Sequence, residues 1–512
     1  GAEREISIVI PMHADSPAPR ILRQAGGAQA WVAKRYEAAA HEWAAKLDRV
    51  TVRLPGDAAE LALTLRAQLG FILVNRDSGG VQPGSRSYER SWIRDGALTS
   101  SALLRLGHPE AAREFLDWFA PYLYADGKVP CCVDARGSDP VAEHDSGGEF
   151  LFLLAEVVRY TGDASIARRH WPAAQRVVAY YDSLRQTTRT AEFRVADKAH
   201  FFGLLPPSIS HEGYSAKPMH SYWDDLFALR GFHDAVYLAE VMGDGPARKR
   251  FSAIHDEFER ELIASVRASM RKHSIPYVPG CADLGDFDAT STSIALSPVE
   301  APLPDTALRA TFARYDRFFR AREEGREKWE AFTPYELRNV GALVHLGQRE
   351  RAHEMLRWFM AQRTPQGWRQ WAEVVWNAPK EPHFIGDLPH TWVGSDFARS
   401  LLDCFAYVHG RDSSLVVAAG ATRAWFQAEG SEVRDLPTPF GPLDLKLGND
   451  QGRLTVTIAG LEHVPRGGVS VRAPWPVGTR AVEVNGQRVP LDTDGAAVVR
   501  ILPARVVAVS ER

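Results

Sequence analysis

The stretch HSYWDDLFALRG, residues 220–231, sets two carboxylates, Asp224 and Asp225, behind an aromatic pair, Tyr222 and Trp223, at the head of a helix-periodic run. Acids in a first helical turn satisfy free backbone amides and face the positive end of the helix dipole, so capping alone would explain them. The same mixture recurs along the chain, however. SYERSWIRDGAL carries Trp92, Arg94 and Asp95, VAEHDSGGEF carries His144 and Asp145, and ISHEGYSAKPMHSYWDD adds Glu212. LGDFDATS holds Asp286 and Asp288, EAFTPYELRN holds Tyr335 and Glu336, and GWRQWAEVVWNAPKEPHFIGDLPHTWVGSD holds Trp371, Glu373, His390 and Trp392. Capping predicts the acids but not the tryptophans beside them. Carboxylates and aromatics on one pocket suit scission of a glycosidic bond. One carboxylic acid protonates the leaving oxygen, and a second attacks the anomeric carbon or activates a water, the pair standing roughly 6.5 to 9.5 Å apart in the inverting form. Neighbours on one helix turn cannot straddle a sugar ring, so Asp224 and Asp225 are not themselves such a pair.

Acids from separate loops need a frame that brings the loops together. From residue 57 to 410 apolar residues recur at three- and four-residue spacing, the signature of amphipathic helices. Twelve are predicted: 57–76, 94–107, 109–124, 146–161, 164–187, 223–243, 246–272, 286–296, 304–321, 333–346, 348–363 and 393–409. Four similar short turns, RLGHPEAA, YTGDASIA, VMGDGPAR and HLGQRERA, follow the second, fourth, sixth and tenth helices with Gly107, Gly162, Gly243 and Gly347 placed as left-handed C-caps. The connections ahead of the even-numbered helices are long, and loops of that length usually carry function. Tight turns at one end and long loops at the other fit a mainly α fold, an (α/α)6 barrel of six inner and six outer helices, with every acid-bearing loop at one rim.

After Gly410 the period changes to two, in GRLTVTIAGL, GVSVRAPW, RAVEVNGQRVPL and GAAVVRILPARVVAVS, with Asn485-Gly486 and Asp494-Gly495 as turn signals. A small antiparallel β-sandwich over 411–512 is expected, with the catalytic barrel over 51–410. Residues 1–50 read as one strand, EISIVIPM, and a helical linker around 28–47. A lone strand needs a partner, so it either joins the C-terminal sheet or is what remains of an upstream β-domain; the latter is the expectation.

The net charge of −3 and the lack of a basic stripe give no footprint for nucleic acid. No run of eighteen apolar residues or signal-like leader occurs in the chain as given. Four cysteines, Cys131, Cys132, Cys281 and Cys404, show neither metal spacing nor a disulfide framework, and no EF-hand-like spacing accompanies the acids. The expected partner is therefore a carbohydrate, without nucleic acid, membrane, metal or cofactor; compartment and oligomeric state have no sequence signal.

YERSWIRDGALTSSALL resembles the segment of glucoamylase-type glycoside hydrolases in which a W-x-R-D stretch before the second barrel helix binds the terminal sugar. SYWDDLFALRG is similar to the W-E-E stretch of glucoamylases and the S-G-W-D stretch of trehalases, where the residue after Trp is the general acid. GWRQWAEVVW…HTWVGSDFARSLL resembles the region that supplies the general base in six-hairpin glycosidases, including the W-E-R-W stretch of α-rhamnosidases. The likeness in topology covers residues 57–410, on short motifs. Residue by residue it implies Asp224 as general acid, Glu373 as general base, and Trp92, Arg94 and Asp95 as binders of the non-reducing sugar, with Glu212 and Glu336 in reserve as acid and base. His144, Asp145, Tyr222, Trp223, Tyr335, Trp371, His390 and Trp392 complete the expected substrate site. Asp224 in place of the glucoamylase Glu shortens the reach by a methylene, and W-A-E around Glu373 matches no single family. The resulting expectation is an inverting, exo-acting glycoside hydrolase. A glycoside phosphorylase, a polysaccharide lyase or epimerase on the same barrel, and a non-catalytic carbohydrate-binding protein are the alternatives; a terpene cyclase would need D-D-x-x-D, which DDLFA does not supply.

Overall fold

Twelve helices form where the periodicity places them. In a computed structural model that describes residues 6, 8, 10, 26–84, 88–327, 334–363, 365–373, 387–410 and 412–508, they are α1 (Ala59–Val74), α2 (Ile93–Arg105), α3 (Pro109–Phe119), α4 (Ser146–Thr161), α5 (Ala164–Gln186), α6 (Tyr222–Val241), α7 (Gly245–His273), α8 (Ala289–Thr292), α9 (Asp305–Glu323), α10 (Arg338–His345), α11 (Arg349–Ala361) and α12 (Thr391–Phe405). The odd-numbered helices bury one stripe; α3, for example, buries Ala111, Ala112, Phe115, Leu116 and Phe119. The even-numbered ones are buried nearly all round, as α4 is from Ser146 to Ala155, which marks them as the inner ring. Each inner helix packs on the next, α2 on α4, α4 on α6, then α8, α10 and α12, and α12 closes on α2. The fold is an (α/α)6 barrel. Its weakest stave is α8, four residues continued by a single 3-10 turn, Ser293–Ala295, shorter than the predicted 286–296.

Glycine makes two features of the ring possible. The turn residues Gly107, Gly162, Gly243 and Gly347 all have positive φ, between 65° and 81°, so each ends its helix in the left-handed region and sends the chain straight into an outer helix. Gly148 and Gly231 sit where α4 crosses α6: a Cβ on Gly148 would lie 2.1 Å from the Phe227 carbonyl oxygen, and one on Gly231 would lie 2.8 Å from the Gly148 Cα.

Two sheets build the sandwich that packs on the barrel. The seven-stranded sheet runs in the order β1 (Thr51–Arg53), β9 (Ser431–Leu436), β10 (Leu443–Asp450), β11 (Arg453–Ala459), β16 (Ala504–Ala508), β13 (Ala481–Val484), β14 (Gln487–Pro490). The four-stranded sheet runs β15 (Ala497–Val499), β12 (Val469–Val471), β8 (Ser414–Val417), β7 (Ala406–His409). Pairing is antiparallel except between β8 and β12. Asn485-Gly486 forms the β13–β14 hairpin, both residues at positive φ, whereas Asp494-Gly495 turns the chain from one sheet to the other rather than closing a hairpin. Strands β7 and β1 come from residues on the barrel side of the change in period, so barrel and sandwich share backbone ladders at both ends. Arg105 and Arg349 tie the two together through the carbonyls of Ala406 and Ala421.

The chain divides into two units, Gly1–Val50 and Thr51–Arg512. In the first, Ala28–Leu47 is helical and buries none of its residues. The predicted strand EISIVIPM lies outside the described residues except for Ile6, Ile8 and Ile10, which have no strand assignment.

Candidate active site

The long loops converge as the barrel requires. At the end where the inner helices begin, a cavity of about 220 Å3 is lined by Pro83, Tyr88, Trp92, Arg94, Asp95, His211, Glu212, Asp288, Thr290, Ser291, Tyr335, Arg338, Glu373, His390 and Trp392. These come from the loops and first turns ahead of α2, α6, α8, α10 and α12. Larger hollows, about 980 and 830 Å3, lie at the short-turn end against the sandwich; no inner-helix N-terminus points into either. The small cavity falls below the roughly 300–1,000 Å3 of pockets that take drug-sized ligands, so it suits one small ring rather than a chain.

Glu373 is held from two sides. Tyr335 donates its phenol hydroxyl to Oε1 at 2.5 Å, and Tyr88 donates to Oε2. His390, the N-cap of α12, stands with Nε2 3.7 Å from the same Oε2, and burial pushes its imidazole below the usual range. Tyr88 and Tyr335 are both driven above the ordinary phenol range, first by burial and then by the negative charge of Glu373, so they remain donors. The Glu212 carboxylate, exposed at the cavity mouth, accepts no hydrogen bond from the described residues; its backbone has a positive φ of 65°. Asp95, in the first turn of α2, lies in the wall between them. Burial, opposed by Arg94 and reinforced by Glu373, Glu212 and Glu143, holds its carboxyl well above the usual carboxylate range.

The two arginines of the wall are already neutralised from behind. Arg94 bonds Glu143 at 2.7 Å and Asp145 at 3.1 Å. Arg338 bonds Asp396 through Nε and Nη2 at 3.0 and 2.7 Å and stacks on Trp392, its guanidinium 4.8 Å from the ring centre. Trp92 and Trp392 supply the aromatic surface, with Tyr335 packed 4.5 Å from Trp392. His211 is pushed down to about 4 by burial, which leaves a neutral ring on Trp223, 4.8 Å between centres. Asp288 caps the short α8 through the Ser291 amide at 2.9 Å; burial raises its carboxyl, but His211 and the Ser291 and Thr290 donors outweigh that and hold it below the usual range.

Of the residues singled out in the sequence, Trp92, Arg94, Asp95, Glu212, Tyr335, Glu373, His390 and Trp392 meet in this wall. Asp224 does not. It is fully buried one layer behind, with Ser208 and Ser210 donating their hydroxyls to its two oxygens at 2.5 and 2.7 Å. Burial and neighbouring Asp145 do push its carboxyl up, but the side chain is no part of the cavity surface, because the loop that carries Glu212 folds across it. Its neighbour Asp225 accepts the Leu205 amide at 2.9 Å and so ties down the preceding loop. Asp145 joins Arg94 to the Trp223 indole, 2.8 Å from Nε1. Tyr222 bonds Ser265 in the core at 2.8 Å, and Trp371 gives its indole N–H to the Phe359 carbonyl at 2.9 Å. His144 is buried, pushed down to about 4, and outside the wall. Glu336 is engaged by Arg322 at 2.6 and 2.9 Å and is not among the residues that line the cavity. Tyr88, His211 and Arg338 are wall residues that sequence reasoning passed over, although all three lie within motifs quoted above.

No protein-family model matches the sequence, and no curated protein is similar to it. Solved structures do share its fold. An α-L-rhamnosidase from Dictyoglumus thermophilum superposes with a TM-score of 0.57 at 12% identity, over 90% of this chain and 50% of that one. A GH78-family rhamnosidase from Bacillus sp. GL1 gives 0.59 at 14% identity over 84% and 43%, and a Streptomyces avermitilis α-L-rhamnosidase complexed with L-rhamnose gives 0.55 at 14% over 90% and 42%. The chain spans half or less of the length of these three enzymes. The likeness establishes a six-hairpin (α/α)6 barrel with a β-sandwich, the fold of the α-rhamnosidase group.

Proposed function

We propose that this chain is an inverting, exo-acting glycoside hydrolase, with Glu373 as general base and Glu212, rather than Asp224, as general acid. The observation that carries this reading is the single-ring cavity with Glu373 fixed by two tyrosines inside it and Glu212 at its mouth, unbonded by any of the described residues. In an exo-acting pocket the terminal sugar sits inside and the leaving group points out, so the group that protonates the glycosidic oxygen belongs at the mouth. The group that activates water belongs within, on the other side of the ring. Tyr88 and Tyr335 hold the Glu373 carboxylate as an acceptor for a water proton, and Trp92 and Trp392 offer apolar faces to the sugar. Arg94 and Asp95 are placed to bond its hydroxyls.

The charge of the wall also selects a substrate class. Glu212 and Glu373 face the cavity beside the buried Asp95 carboxyl, while Arg94 and Arg338 are compensated by Glu143, Asp145 and Asp396. Among the described residues a uronate carboxylate would meet acids without a free cation, so a neutral terminal sugar is the substrate we infer. The rhamnosidases of like fold make α-L-rhamnosides the first to try. We assign the chemistry to residues 51–410 and a bracing role to the sandwich.

The test is hydrolysis of a panel of neutral aryl α- and β-glycosides, α-L-rhamnosides included, by wild type, Glu212→Gln and Glu373→Gln. Losing a general acid or base lowers turnover by about 10² to 10⁴. Turnover in either variant within a few-fold of wild type would remove that residue from the mechanism, and lack of cleavage of every neutral glycoside would refute the substrate class.

A further inference from the structure

Two thiols beside the cavity play no part in the carboxylate chemistry. Adjacent side chains in an extended strand point to opposite faces, yet the bend at Cys131, just before the short strand Cys132–Asp134 (β5), turns both cysteines to one side and brings Cys131 Sγ and Cys132 Sγ to 3.0 Å. Both are free and buried. With Asp139 they form a cluster close enough to ligate a metal ion, but Arg90 already touches it, Nη1 lying 3.3 Å from Cys132 Sγ and 3.5 Å from Asp139. A guanidinium there repels a cation.

We propose that Cys131 and Cys132 are a reversible oxidation site, a dithiol that peroxide closes to a disulfide, and that closure loosens the edge of the cavity formed by Trp92, Arg94 and Asp95. The Cys132 thiolate attacks one oxygen of hydrogen peroxide; the O–O bond breaks, hydroxide leaves and takes up a proton as water, and Cys132 becomes a sulfenic acid. Cys131 sulfur then attacks Cys132 Sγ, the S–S bond forms, the S–O bond breaks, and the oxygen departs with the Cys131 proton as a second water. Two thiols lose two electrons and two protons, and the peroxide becomes two waters. Access is through Arg90 and Asp139, whose side chains remain 24% and 33% exposed over the pair.

Coupling to the cavity runs through the backbone. Cys131 accepts the Ile93 N–H at 2.9 Å, and Cys132 is the register partner of Trp92. Ile93 opens α2 immediately before Arg94 and Asp95, and Trp92 shares one buried apolar cluster with both cysteines. A disulfide between sequence neighbours closes a small ring that contains the peptide between them. That peptide must rotate, and the Cys131 carbonyl turns away from Ile93.

The test treats the full chain with hydrogen peroxide, alkylates it under denaturing conditions and weighs the peptide that contains both cysteines. That peptide should lose two hydrogens, escape alkylation and revert with dithiothreitol, while Cys281 and Cys404 stay alkylatable. Amide exchange at Ile93 should quicken on the order of tenfold in the oxidised protein, and in neither Cys131→Ser nor Cys132→Ser, each checked for an unchanged circular dichroism spectrum. Free thiols throughout, or over-oxidation of Cys132 without a disulfide, would overturn the site. A disulfide with unchanged Ile93 exchange would overturn the coupling. None of these outcomes depends on whether the cavity cleaves glycosides.

Discussion

Tyr335→Phe isolates one contact of the proposed base. The hydroxyl donates to Glu373 Oε1 at 2.5 Å, while the ring packs against Trp392, 4.5 Å between centres, and can stay there as phenylalanine. Tyr88 serves the other oxygen, and His390 stands 3.7 Å from that same oxygen, so neither replaces the lost donor. A hydrogen bond to a charged group contributes about 1.5–3 kcal/mol. If the bond holds Glu373 in the transition state, kcat/KM should fall roughly 10- to 150-fold, at about 1.36 kcal/mol per decade. Tyr88→Phe should act similarly from the other side, and the double variant should lose less than the product of the two because they share one carboxylate. Initial rates on the best aryl glycoside of the panel measure this, with thermal unfolding as a control for the fold. A Tyr335→Phe enzyme within about twofold of wild type, equally stable, would show that the clamp does not position the base.

Four further outcomes follow from particular contacts. Asp224→Asn should keep hydrolysis within about tenfold of wild type, since a group outside the cavity cannot donate its proton there, whereas a general acid would cost about 10² or more. Glu336→Gln should alter thermal stability through Arg322 but leave kcat within a few-fold, as measured on the same substrate. Gly148→Ala should destabilise the barrel by about 2 kcal/mol in denaturant unfolding. The new Cβ meets the Phe227 backbone at 2.1 Å, overpacking against rigid backbone costs about 3 kcal/mol, and the helix gain from alanine returns about 1 kcal/mol; Gly245→Ala, with open space around it, should not destabilise. His144, buried and pushed down to about 4 from 6.5, is neutral in the fold and charged in the unfolded chain between those values. Stability should therefore fall as pH drops from 6.5 to about 4, by at most about 1.4 kcal/mol per pH unit for this group, and His144→Asn should flatten that slope in unfolding curves taken across the window.

The barrel was legible because its signal is long and redundant. Periodicity over some 350 residues, about twelve helices' worth, and four glycine turns agree on one topology, and the structure differs mainly at α8 and α10, where the helices are short, and at the end of α12, where 406–409 form strand β7 instead of the expected helix. The rim was legible for the same reason: once the inner helices are known, the loops ahead of them must meet. Which side chain of a loop faces inward was not. Asp224 follows Trp as a motif would have it, but its orientation depends on Ser208 and Ser210, from a loop folded over it. Glu212 lines the cavity with a positive φ that no sequence pattern announces. Tyr88 and Arg338 lie beside residues that drew attention for their charge, and their roles come from partners, Glu373 and Asp396, nearly 300 and 58 residues away. The parallel β8–β12 pair and the recruitment of β1 are likewise long-range pairings that the alternation of single strands cannot encode.

The claim on which the rest depends is that a water activated by Glu373 attacks a sugar ring on the face opposite the bond that Glu212 protonates. NMR of the first-formed product during hydrolysis of a neutral aryl glycoside reads this directly. The account predicts a sugar of inverted anomeric configuration before mutarotation; a product of retained configuration would contradict it.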